Sequence, residues 1–169
     1  MKKLSKIVAL LLAGALTMLM FTACGGGGGN YGTRDSGKEA ALFDSVKSGR
    51  QVSAQVTAND PTLCETADRH LKEDLNTDLR IFGTQLVANV HVDGEEGKYL
   101  IITATANYVG GPLSELALEK IEKLAGKKLP GTDVNVHGKG SWVDVGVVVR
   151  NVGTQSYMAV AFKIANPNK

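Results

Sequence analysis

Cysteine is nearly absent from this chain of 169 residues: Cys24 and Cys64 are the two that occur. A disulfide framework is therefore excluded as the source of stability, and no Cys-x-x-Cys or His-x-x-x-His spacing marks a zinc site. Charge of one sign is also missing, with 19 basic against 17 acidic residues. A near-neutral chain without a basic stripe argues against nucleic acid as a partner. Equally absent are a Gly-x-Ser-x-Gly elbow, a Walker loop and a dinucleotide fingerprint following a strand. No two carboxylates are spaced as a general acid and its partner, so no catalytic residue and no cofactor are expected.

Long apolar runs are missing too, except at the start. Met1-Lys2-Lys3-Leu4-Ser5-Lys6 is basic, and residues 7–21 are apolar but too few to span a bilayer comfortably. Phe21-Thr22-Ala23-Cys24 closes this run and resembles the lipobox of bacterial lipoproteins. The resemblance implies cleavage before Cys24 and lipidation of Cys24, whose acyl chains make the lipid bilayer a partner. Each buried CH₂ contributes about 0.8 kcal/mol to such an anchor. The expected location is a cell membrane, with the domain facing the extracytoplasmic side.

Three parts follow from this: a signal peptide at 1–23, a lipidated cysteine with a Gly-rich tether at 24–35, and one domain at 36–169. Lys2, Lys3 and Lys6 leave with the leader, which reduces the basic residues to 16 against 17 acidic. Cys64 is then the sole free thiol, and its place beside Leu63 in a helical pattern suits a small buried hydrophobe.

Within the domain, Ser36 and Glu39 form a capping box for a first helix presenting Leu42, Phe43 and Val46 inward and stopping at Gly49. Val52, Ala54, Val56 and Ala58 alternate as a strand would. Asp60-Pro61 opens a second helix with Leu63, Ala67, Leu71, Leu75 and Leu79 on one stripe. A hairpin follows, its strands carrying Leu86, Ala88, Val90 and Val92, then Leu100, Ile102, Ala104 and Ala106 on their apolar sides. Gly110-Gly111-Pro112 opens a third helix with Leu113, Leu116, Ala117, Ile121 and Leu124 inward, ended by Gly126 and Pro130. A short strand near His137 and two longer ones joined at Asn151-Val152-Gly153-Thr154-Gln155 complete the chain.

The sum predicts an α+β fold: two layers, a mostly antiparallel sheet and about three helices, arranged as two α-β-β units. A weak echo supports those units, for Asn89-Val90-His91 recurs as Asn135-Val136-His137.

Candidate site residues are few. His91 and His137 fall on polar sides of predicted strands and would form a metal site if they met, with Asp93 or Asp144 as carboxylate ligand. His70 lies in the second helix among Asp68, Glu73 and Asp74, where a histidine needs no function. Asn89, His91 and Asp93 mark a polar strand face, with Trp142 as an adjoining binding anchor if it is exposed. Gly140-Ser141-Trp142-Val143-Asp144-Val145-Gly146-Val147-Val148-Val149 with Tyr157-Met158-Ala159-Val160-Ala161-Phe162 resembles the closing hairpin of CAP (SCP-like) secreted domains. That resemblance implies an α-β-α sandwich in the extracellular space and carries no site residue over. Three functional readings follow: a non-enzymatic interaction domain with a protein or envelope partner, a small-molecule or metal-binding module, and a degenerate CAP-like domain.

Overall fold

The computed structural model describes residues 31–76, 80–81, 84–94, 96–109, 115–128 and 134–169. The signal segment, Cys24, the glycine run, Leu79, Pro112, Leu113 and Pro130 lie outside the described residues. The elements are β1 (Thr33–Arg34), α1 (Ser36–Lys47), α2 (Pro61–Leu75), β2 (Arg80–Ile81), β3 (Thr84–Gln85), β4 (Ala88–Asp93), β5 (Tyr99–Asn107), α3 (Glu115–Lys128), β6 (Asp144–Val152) and β7 (Gln155–Ala165). This is the α+β class that the periodicities predict, with three helices and an antiparallel main sheet. Helices on both faces make three layers rather than the expected two, and Thr33 and Arg34 of the expected tether join the sheet.

The main sheet runs β1-β6-β7-β5-β4, and β2 and β3 pair separately. Register fixes its two faces. Val90, Ala104, Val160 and Val147 form one row, and His91, Thr103, Ala161 and Gly146 form the next, pointing the other way. The first face packs under α1 and α3, with Leu42, Val46, Leu118 and Ile121 against Val90, Ile102, Val147 and Phe162. The second face packs under α2, with Leu63, Ala67 and Leu71 against Val148, Ala159 and Ala161. Strand β6 is thus buried on both sides, and Val145 to Val149 stay covered although the strand runs as continuous valine around Gly146.

Helix α2 begins as the sequence predicts: Asp60 caps it, accepting from Leu63 N at 2.8 Å, and Pro61 takes the first position. For α1 the cap moves one residue back. Asp35, not Ser36, accepts from Lys38 N at 3.0 Å. Glu39 is thereby released from capping; it is buried and chelates Arg34, at 2.7 and 2.8 Å. The charged partner raises the Arg34 pKa further against the opposing effect of burial.

Two predicted strands are turns instead. Val52 makes a single bridge to Trp142, and Val56 N bonds back to Ser53 O at 3.0 Å. Val134 and Val136 are buried, but residues 136–137 turn rather than extend. Val52 and Val56 in the first place, and Val134 and Val136 in the second, are buried without joining a ladder, while Ala54 and Ala58 of the expected alternation are exposed. Gly126 lies inside α3 rather than beyond its end.

The expected second α-β-β unit, with strands near 133–137 and 142–150, does not form as such: residues 134–137 carry no strand, and β2 and β3 stand between α2 and β4 in the first. Asn135 to His137 are loop where Asn89 to His91 are strand, and α2 and α3 lie on opposite faces of the sheet, so the echo has no structural counterpart.

The outer edge of β6 beyond β1 is closed by side chains. Asn59 takes both polar groups of Val147, at 2.7 and 3.1 Å, and Glu39 Oε1 accepts from Val149 N at 3.1 Å. An edge so occupied cannot template another strand.

Candidate functional site

The inward stripe of α2 changes character along its length. Leu63, Ala67 and Leu71 are buried, and so are His70 and Asp74, which fall on the same side one turn on. Opposite them, β4 turns Asn89, His91 and Asp93 toward α2, because these residues alternate with Val90 and Val92 on the other face. An apolar helix–sheet contact therefore ends in a polar cluster.

Its geometry is specific. His70 and His91 stack with ring centroids 4.0 Å apart and planes 15° from parallel. His70 Nδ1 lies 2.9 Å from Glu73 Oε2, and its Nε2 lies 2.7 Å from Asp93 Oδ2. His91 Nε2 lies 2.9 Å from Asp74 Oδ2. Asn89 Nδ2 donates to the other oxygen of Asp74 at 3.0 Å, and the Thr105 hydroxyl donates to Oδ2. Arg69 closes the rim, reaching Asp93 at 3.3 Å and Glu73 at 3.5 Å. His70 is almost fully covered while the Glu73 side chain is about half exposed, at 51%, so the cluster opens to solvent at Glu73.

Electrostatics favour ionised aspartates. Burial pushes the Asp74 carboxyl up, but the bonds from His91, Thr105 and Asn89 outweigh it and leave the group below its ordinary range. Burial likewise opposes ionisation of Asp93, and His70 and Arg69 overcome it. One polar atom beside the cluster is unpaired. Thr103, fully buried and directly across from His91 in the β4–β5 register, has no partner for Oγ1.

The sequence brought His91 and His137 together as metal ligands; the structure separates them. His137 sits in the loop before β6 and pairs with Glu122 Oε2 of α3 at 2.9 Å, on the opposite face. Asp144 is paired with Lys163 at 3.4 Å on β6 and β7. Trp142 is not a surface anchor: it is fully buried, stacked on Phe162 at 3.7 Å and donating Nε1–H to Val136 O at 3.0 Å. A lone large aromatic at the start of β6 is taken up by the core because the turn at 135–138 folds over it. The Asn89, His91, Asp93 face does gather in one place, yet under α2 rather than on an open sheet. Its missing members, His70, Glu73 and Asp74, come from that helix.

Cys64 carries no reactivity. It is buried, its Sγ points at Val147 O at 3.5 Å, and burial pushes its pKa up to about 11. No helix among the described residues is long and apolar enough to cross a membrane. Compared with known proteins, the chain matches no family model, no curated protein and no solved structure.

Proposed function

We propose that this chain is a lipid-anchored, extracytoplasmic binding protein that takes up a small ligand at the His70–His91 cluster. Its address rests on the lipobox at Cys24 and the glycine tether behind it. Its activity rests on one observation: His70, Glu73, Asp74, His91 and Asp93 converge at the end of a helix–sheet contact that is apolar elsewhere. Burying groups such as His70 and Asp74 is costly, and an apolar filling of such a contact is often at least as stable. Retaining them suits a site. Binding is favoured over catalysis because neither threonine hydroxyl at the cluster is bonded to a ring nitrogen: Thr105 donates to Asp74 and Thr103 has no partner, which is not the arrangement of an activated nucleophile.

The test is made on the full chain extracted from membranes. Wild type should sediment with the membrane and Cys24→Ser should not. Native mass spectrometry of the extracted wild type should show an adduct that His91→Gln loses. A bare chain in both would remove the binding reading, and a soluble wild type would remove the anchor.

A degenerate CAP-like domain is a second reading, favoured by helices on both faces of the sheet. It assigns no residue of the cluster, so the binding reading does not depend on it.

A further inference from the structure

We infer that the ligand is a transition-metal dication of the zinc class, held by His70, Glu73 and His91 and oriented from behind by Asp93 and Asp74. This rests on reading the cluster as a binding site. One ligand atom from each of the three lies within 4.8 Å of the others. Because the two rings are stacked nearly parallel, an ion in the plane of one lies out of the plane of the other, so one imidazole turns about its side-chain bonds to reach the roughly 2.0–2.2 Å bonds that imidazole nitrogen and carboxylate oxygen make to zinc.

The carboxylates behind the rings decide which nitrogens ligate. Asp93 occupies Nε2 of His70 and Asp74 occupies Nε2 of His91. When Nε2–H donates to the aspartate, Nδ1 carries the lone pair. The Nδ1 of His70 already faces Glu73, and that of His91 has no hydrogen-bond partner among the described residues. Carboxylates bonded to the far nitrogen are how proteins fix the tautomer and orientation of ligating histidines. Here both rings have one, and Asp74 is fixed in turn by Asn89 and Thr105.

The carboxylates of Glu73, Asp74 and Asp93 outnumber the single guanidinium of Arg69, so the cluster is a favourable place for a cation. Two imidazoles and one carboxylate form a borderline donor set suited to zinc, copper or nickel, whereas calcium and magnesium want oxygen ligands throughout. The unpaired Thr103 hydroxyl is a second, independent sign. It stands across from His91 on the same face, and a water on an open coordination position would give it the partner it lacks.

The test is zinc chloride titrated into the full-length chain in detergent against a chromophoric chelator, with magnesium chloride in parallel. One zinc per chain and no magnesium are expected. Glu73→Gln lies at the open rim and leaves the fold intact; it should weaken zinc at least tenfold, as should His91→Gln, and His137→Gln on the opposite face should change nothing. Zinc should also raise the melting temperature through ligand linkage. No binding at excess zinc, or affinity that survives both substitutions, overturns the assignment. If zinc fails while His91→Gln still loses a native adduct of another mass, the metal falls and the binding site stands; if the native chain is bare as well, both fall.

Discussion

The imidazole of His70, on α2, lies flat on that of His91, on β4, with 4.0 Å between centroids. This stack is where the helix and the far edge of the sheet meet, so the same side chains that form the candidate site also hold the C-terminal half of α2 in place. Stability measurements therefore report on the site.

Asp74→Ala is expected to lower stability by about 3 kcal/mol. The substitution takes an acceptor from the buried Thr105 hydroxyl, for which an unpaired group costs about 1–3 kcal/mol, and from the half-buried His91 and the exposed Asn89, which lose less. Urea unfolding should show a lower midpoint at unchanged slope. A midpoint equal to wild type would mean that the cluster does not secure the helix.

The same carboxylates set an acid limit. Asp74 and Asp93 have folded-state pKa values below their ordinary ones, as does Asp68, where burial is outweighed by Arg150 and Lys72. Groups with depressed values contribute stability that is fully present above the unfolded value, about 3.9, and that is lost as pH falls through the folded value. Unfolding free energy should therefore hold from neutral pH down to about 5 and fall steeply below 4. Asp74→Asn should flatten the acid slope; an unchanged slope would contradict the ionised network.

How much of this was legible is clearest along α2. Its cap, its start and the stripe of Leu63, Ala67 and Leu71 follow from local chemistry, and so does the β4–β5 hairpin. His70 and Asp74 sit seven and eleven residues after Leu63, on the same helical side, and that placement was the available signal for the site. Hydrophobic patterning passes over it because polar residues on an inward stripe look like the stripe's end. Which face of the sheet each helix covers is not written in an amphipathic pattern, since α1, α2 and α3 would read alike on either side. The segments around Val52, Val56, Val134 and Val136 show the opposite failure: alternation predicts strands, but Ala54 and Ala58 are exposed and the buried valines have no continuous ladder to join.

Trp142, the one tryptophan, should report that core directly. Fully buried on Phe162, it should emit at short wavelength in the native state and shift to the red on unfolding. Trp142→Ala should cost about 3–5 kcal/mol through the cavity it leaves. Solvent-like emission from the native protein would return Trp142 to the surface and undo the packing described for β6.

Gly146 gives the sharpest test of how α2 is seated. A Cβ there would stand 2.5 Å from Leu63 Cβ and 2.6 Å from Cys64 N, and the second of these is backbone that cannot step aside. The start of α2 is tied down as well, by Asp60 N to Val145 O at 2.9 Å and by Asn59 on Val147. Replacing glycine by alanine in a strand would by itself stabilise by about 0.4–1 kcal/mol, through a less flexible unfolded chain. The clash reverses that sign, with a cost of about 1–3 kcal/mol as the helix is pushed off the sheet. A shifted helix also carries His70 away from His91, so Gly146→Ala should weaken ligand uptake at a cluster it does not touch. Urea unfolding and the zinc titration read the two effects separately. A variant that is more stable and binds as wild type would show that α2 does not rest on β6 at this point.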